Sequence, residues 1–252
     1  MKFAFRCMMD NGPRANQEDA LLVGETVYQG HAVDESGQGE AQTVVAVALD
    51  GLGGHSAGER VSAQTAELLS QKLAAAGTDQ EAVNQALVEV QKEMEARRED
   101  LDDGGTTATG LLTAAGRVLV FNLGDSRVYR VSPGPFSRVS TDHSVVQRMI
   151  GQGLITEKEA FTSPFRNLVE FGLGPTFDHA WEKYQVNFTE EAIEGEAVYL
   201  LCTDGVCDLF SDEKLAEVMA DGSMDRAQAL MDELKTAGLK DNTSFILLRV
   251  SA

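Results

Sequence analysis

The run Thr43-Val44-Val45-Ala46-Val47-Ala48-Leu49 is nearly continuous in apolar, mostly β-branched residues and is bounded by polar ones. At that length and composition it reads as a buried strand, which obliges other elements to cover it. Two long helical segments follow. In the second, Val83, Leu87, Val90 and Met94 recur at intervals of four, three and four, a stripe that faces a core. Asp79 is placed to cap that helix, and Gly77 to stop the one before it. Strands then dominate, at about Thr107–Thr113, Arg117–Asn122 and Arg127–Val131, with Gly116 and Gly124 at the turns. Further on come Ala197–Cys202 and Ser244–Val250, with acidic amphipathic helices at about Ser211–Ala220 and Met224–Thr236 between them. Strands and helices come in blocks and not in strict alternation. That favours an α+β architecture, antiparallel sheets with helices on their outer faces, over a doubly wound parallel sheet.

Charge and composition narrow the class. Among 252 residues, 40 Asp and Glu outnumber 21 Lys and Arg, giving a net charge of −19. A chain so acidic is poorly suited to nucleic acid, whose phosphates are held by Lys and Arg. No apolar run approaches the roughly 18 residues that a bilayer span needs, so no membrane association is expected. The opening Met1–Asp10 carries Arg6 in its apolar stretch and lacks a small-residue cleavage site, unlike a signal peptide. Cys7, Cys202 and Cys207 are odd in number and lack metal-ligand spacing, which points to a reducing compartment, the cytoplasm. The expected state is a monomer.

The aspartates sit at the ends of apolar runs. Asp50 follows Thr43–Leu49, Asp204 comes two residues after Ala197–Cys202, Asp241 precedes Ser244–Val250, and Glu18-Asp19 precedes Ala20–Val23. Gly51, Gly205 and Asn242 come next to three of them, as in tight turns. Taken singly, each is a common turn dipeptide. Together, carboxylates that converge at one edge would repel one another unless a cation neutralised them, and oxygen-only ligands suit Mg²⁺ or Mn²⁺. Arg14, five residues before Asp19, offers a planar fork that matches two oxygens of a phosphate monoester. Gly54-His55-Ser56-Ala57-Gly58 matches the G-x-S-x-G elbow of serine hydrolases, but the strand ends before it and the last histidine, His179, lies awkwardly for a triad. Ser56 is better read as a helix N-cap, with Glu59 completing a capping box.

With these residues in view, the chain resembles the metal-dependent protein phosphatases of type 2C, in their compact bacterial form. Arg14-Ala15-Asn16-Gln17-Glu18-Asp19, Asp50-Gly51-Leu52-Gly53-Gly54-His55, Gly105-Thr106-Thr107-Ala108 and Asn122-Leu123-Gly124-Asp125-Ser126-Arg127 match the family's motifs in order. Thr141-Asp142-His143-Ser144, Thr203-Asp204-Gly205 and Asp241-Asn242 continue the series. The resemblance implies two central antiparallel sheets packed as a sandwich with helices outside (αββα), over one catalytic domain spanning residues 1–252 with a flap at about 141–175. It implies hydrolysis of phosphoserine and phosphothreonine in proteins, the targets of a Ser/Thr kinase, by direct attack of a water that bridges two Mg²⁺ or Mn²⁺ ions. Asp50 would bridge the ions, the Gly51 carbonyl, Asp204 and Asp241 would complete their ligands, and Glu18 and Asp19 would act through water. Asp125 would help to bind a third ion, and Arg14 would bind the phosphate.

Two departures bear on mechanism. Some relatives carry a histidine directly after the Asp-Gly pair, where this chain has Leu52. In the flap, Glu170 and Phe171 stand where relatives often have a basic residue, so Glu170 is expected to favour basic phosphopeptides. The competing readings are a serine esterase built on Ser56 and a phosphoprotein-binding module on an inactive scaffold; the second would predict missing ligands, yet Asp50, Asp204 and Asp241 are all present.

Overall fold

In the computed structural model, which describes residues 1–53 and 57–251, two antiparallel sheets lie face to face between helices. In chain order the strands are β1 (Lys2–Asp10), β2 (Asp19–Val23), β3 (Thr26–Tyr28), β4 (Ala32–Glu40), β5 (Thr43–Leu52), β6 (Gly105–Thr106), β7 (Ala108–Ala114), β8 (Arg117–Leu123), β9 (Arg127–Ser132), β10 (Ser137–Arg138), β11 (Asn187–Ala192), β12 (Glu196–Cys202) and β13 (Thr243–Ser251). The helices are α1 (Ala57–Ala76), α2 (Gln80–Glu95), α3 (Val145–Gly151), α4 (Glu157–Phe161), α5 (Asp204–Cys207), α6 (Asp212–Val218) and α7 (Arg226–Ala237), with a 3-10 turn at Pro175–Ala180. One sheet has the order β10-β9-β12-β13-β1-β4, the other β11-β8-β7-β5-β2-β3, with β6 paired antiparallel to the end of β5.

The alternation of the central strand β5 serves two cores at once. Ala46 and Ala48 of β5 point inward with Leu21, Tyr199, Ile246 and Leu248 to form the layer between the sheets. Val45, Val47 and Leu49 face the other way, against Val61, Leu69 and Leu73 of α1 and the α2 stripe. This is why the run is apolar at every position: both faces of the strand are covered. The stripe Val83, Leu87, Val90 and Met94 is fully buried, and Asp79 caps α2 by accepting from the Ala82 amide. On the far side, Leu215, Leu230, Met231 and Leu234 of α6 and α7 cover Tyr129, Leu200, Phe245 and Leu247. The αββα sandwich expected from the sequence is the architecture observed.

Several elements carry no apolar signature. β4 lies at a sheet edge and is mostly exposed, so Asp34, Glu35, Ser36 and Gln38 can occupy it without burial. The segment 141–175 is not irregular throughout. Ser144 caps α3, and Thr156 with Glu159 forms a reciprocal capping box for α4. Both helices are too short to show a period. Among the described residues, the large apolar side chains left exposed are Leu154, Phe165 and Leu168, and all three lie in this segment. Ser56 and His55, on which the capping box of α1 and the esterase reading depend, lie outside the described residues.

Candidate metal centre

The topology brings the acidic strand ends to one edge. Asp19 at the start of β2 pairs in register with Asp50 near the end of β5. β12 runs antiparallel to β13 with Cys202 opposite Phe245, so Asp204 and Asp241 leave their strands on the same side. A cleft of about 650 Å³ opens there, lined by Arg14, Glu18, Asp50, Gly51, Asp125, Asp204 and Asp241 among others. Of the eight positions singled out in the sequence, seven line this cleft. The eighth, Asp19, is buried, 1% exposed, with its carboxylate accepting from Thr203 Oγ1 at 2.9 Å.

The glycines after Asp50 and Asp204 do not turn the chain. Gly51 continues β5 and Gly205 lies within α5. A Cβ on Gly51 would come within 2.3 Å of the Gly58 carbonyl, and one on Gly205 within 1.9 Å of the Asn242 carbonyl. Close backbone approach is the requirement here, not a left-handed conformation. Gly124 differs: its φ of 103° and the 2.5 Å its Cβ would leave to Thr107 Cγ2 demand glycine on both counts.

A hydrogen-bond frame holds the acids. The Asp50 amide donates to Thr107 Oγ1 at 3.0 Å, while the Thr107 amide and Thr106 Oγ1 donate to the Asp50 carbonyl at 2.9 and 3.0 Å. Buried Asn242 accepts from the Glu18 amide at 2.8 Å and donates to the Asn11 and Asn16 carbonyls at 3.1 and 3.0 Å, tying the Arg14–Asp19 loop to the start of β13. Arg14 Nη2 donates to Asp241 Oδ2 at 2.6 Å, not to Glu18. Thr107 and Asn242 were visible in the sequence as motif members, but their roles depend on contacts between distant segments. The cleft residues Asn167, Thr176, Phe177 and Ala180 gave no sequence signal.

Electrostatically the site is unfavourable as it stands. Burial, then repulsion from Asp204, Asp19 and Asp125, holds the Asp50 carboxyl far above its ordinary range. Burial pushes Asp19 up to about 7 despite the bond from Thr203. For Asp204, burial and the Asp208 charge raise it to about 6. Asp125 is also raised, by burial and by Asp204, and its Oδ1 is buried without a hydrogen-bond partner.

The flap is joined to the same edge by the Thr141-Asp142-His143-Ser144 motif. Asp142 pairs with Arg127, with Arg127 Nη2 donating to Asp142 Oδ2 at 2.8 Å. The His143 carbonyl accepts from the Glu170 amide, and its ring packs edge-on against Phe171. Glu170 itself is closed: Arg148 Nε and Nη2 donate to Oε1 at 3.0 and 2.9 Å, which removes the free negative charge expected to attract basic peptides.

The sequence profile described as protein phosphatase 2C matches residues 31–241. The chain belongs to the protein phosphatase 2C family. It is 29% identical over 247 residues to the serine/threonine protein phosphatase PstP of Mycobacterium tuberculosis, covering 94% of this chain and spanning 43% of PstP's length. The crystal structure of the M. tuberculosis serine/threonine phosphatase PstP/Ppp superposes with a TM-score of 0.78 at 27% identity and covers both chains fully. The PstP catalytic domain in complex with two manganese ions matches at a TM-score of 0.73 and 26% identity, again over the whole of both chains.

Proposed function

We propose that the cleft hydrolyses phosphoserine and phosphothreonine monoesters in proteins, using Mg²⁺ or Mn²⁺ held by its carboxylates. The observation that carries this reading is the meeting of Glu18, Asp50, Asp125, Asp204 and Asp241 with Arg14 in one cleft. Such a cluster is unfavourable without a cation and well matched to one. The described lining residues include no His or Cys, so the donors are hard oxygens that suit Mg²⁺ and Mn²⁺ over Zn²⁺. The orphaned Asp125 Oδ1 has the chemistry of a ligand oxygen. Among the described residues no three acidic, imidazole or thiol side chains close around a single point.

On this reading Asp50, the Gly51 carbonyl, Asp204 and Asp241 would hold two ions, Glu18 and Asp19 would act through water, and Asp125 would serve a third. Two ions bound there would supply Lewis acidity toward a water nucleophile and would neutralise charge on the phosphoryl oxygens. The chain's own part is orientation. Thr106 and Thr107 fix the backbone of Asp50, Asn242 fixes that of Glu18, and Arg14 exchanges its bond to Asp241 for two oxygens of the substrate phosphate. Residues 1–252 act as one catalytic unit with a flap at about 141–175. Its substrates are phosphoproteins made by a Ser/Thr kinase, met in the cytoplasm, where its three free, buried cysteines stay reduced, and it works as a monomer. Among the described residues no helix is long and apolar enough to cross a membrane.

The test is turnover of p-nitrophenyl phosphate and a phosphothreonine peptide with Mn²⁺ and with EDTA. Activity that survives EDTA, or none in Mn²⁺, would refute the reading.

A further inference from the structure

Part of the cleft lining is apolar: Leu52, whose strand partner Gly105 packs against the Phe177 ring, together with Leu168, Val169 and Ala180, interspersed with Asn167, Glu170 and Thr176, while the carboxylates and Arg14 line the remainder. This apolar part is built and not a loose edge. The Phe177 ring is pressed between two glycines, where a Cβ on Gly105 or Gly172 would come within 2.8 or 2.6 Å of it. Trp181 Nε1 donates to the Gly172 carbonyl at 3.1 Å and locks that backbone in place. Leu168 is 49% exposed although its backbone is fixed, its amide donating to the Phe165 carbonyl at 3.2 Å and its carbonyl accepting from Val145 at 3.0 Å. The exposed side chain is thus presented to the cleft by an ordered backbone.

Charge at this part is also settled. Among the described lining residues Arg14 is the one basic side chain, and it is bonded to Asp241. Glu170, the acid nearest in sequence to Leu168 and Val169, is occupied by Arg148. A flanking charge on a substrate would lose water here and meet no unpaired opposite charge among the described lining residues of this part, whereas an apolar side chain would lose only unfavourable hydration.

We infer that the apolar part of the cleft is a subsite for an aliphatic or aromatic side chain flanking the phosphorylated residue of a protein substrate, with Leu168 determining how strongly it is held. This rests on the phosphatase reading of the carboxylates. A phosphate seated by Arg14 anchors the peptide, and a neighbouring apolar residue then covers Leu168 and the Phe177 ring.

The experiment scans leucine through three positions on each side of phosphothreonine in an otherwise Gly/Ser peptide, with saturating Mn²⁺. At one or two positions leucine should raise kcat/KM about five- to tenfold over serine, mostly through KM, the gain expected for covering one aliphatic side chain. Leu168→Ser should bring that ratio below about twofold, since most of the apolar contact is then gone, and Leu168→Met should retain it. A damaged flap would instead lower all peptides together and leave the ratio intact. No leucine preference at any position, or a preference unchanged in Leu168→Ser, overturns the subsite. Wild-type protein that turns over no peptide in Mn²⁺ overturns the phosphatase reading and the subsite with it.

Discussion

Removing one carboxylate from the candidate metal centre should stabilise the metal-free protein. Asp204 opens α5 beside the Asp50 carboxyl in the cleft, and burial together with Asp208 raises it to about 6 from the ordinary 3.8. With the folded value above the unfolded one, the favourable contribution is complete below about 3.8 and is lost as pH rises through about 6. At pH 7.5 the metal-free fold therefore carries the full cost of this charge. Two pH units correspond to about 3 kcal/mol, and the proton retained by Asp50 lowers the effective figure to about 1–3 kcal/mol. Asp204→Asn removes the charge and can donate to Asp50. In EDTA at pH 7.5 the variant should melt about 2–12 °C above wild type, at about 2–4 °C per kcal/mol for a chain of this size, and the advantage should fall to about half by pH 5, vanishing only below about 3.8. Manganese should reverse the order, because a ligand at about 100 times its Kd adds about 2.7 kcal/mol to a protein that binds it, and the variant lacks a carboxylate proposed to hold the ion and should lose turnover with it. Thermal melts across pH 5–8, with EDTA and with Mn²⁺, read both effects. A variant that melts at or below wild type in EDTA at pH 7.5, or one that gains as much from Mn²⁺, would refute the reasoning.

Other outcomes follow from single contacts. Arg14→Ala should raise KM for a phosphothreonine peptide about tenfold or more, the value of a charge-assisted contact, with partial rescue by lysine; steady-state kinetics with unchanged KM and kcat would return Arg14 to the surface. Asn242→Ala leaves three backbone partners without their bonds, costing about 2 kcal/mol or about 4–8 °C in Tm, and Asn242→Asp should be no better because an added acceptor would face two carbonyls; a melt within 1 °C of wild type, about the error of such scans, would refute this. Glu170→Gln should change the kcat/KM ratio of basic to acidic phosphopeptides by less than about twofold, since Arg148 already covers the charge and exposed pairs are weak; a larger shift at low salt would restore Glu170 as a selector.

What could be read from the sequence follows from how each feature arises. β5, α2 and the carboxylate positions were legible because burial on two faces, a stripe of four residues and acids at strand ends are local patterns with one physical cause each. The strand β4 was not, because an edge needs no apolar alternation, and α3 and α4 were not, because one or two turns cannot display a period. Glycine misled in a specific way. Beside Asp50 and Asp204 it signals a turn to a reader of dipeptides, yet both residues keep their strand or helix and are small because another backbone passes within 2.3 or 1.9 Å of where a Cβ would stand. The same cause recurs at Gly105 and Gly172, which leave space for the Phe177 ring. A glycine required by a long-range approach looks, in sequence, like one required by its own φ. The two can be separated by substitution: alanine at Gly51 or Gly205 meets fixed backbone and must displace the carboxylate beside it, whereas alanine at Gly77, with φ 59° and nothing within 4 Å, meets strain alone. The glycines of the site are thus part of how its acids are aimed, and the flap glycine Gly172 aims the apolar wall in the same manner.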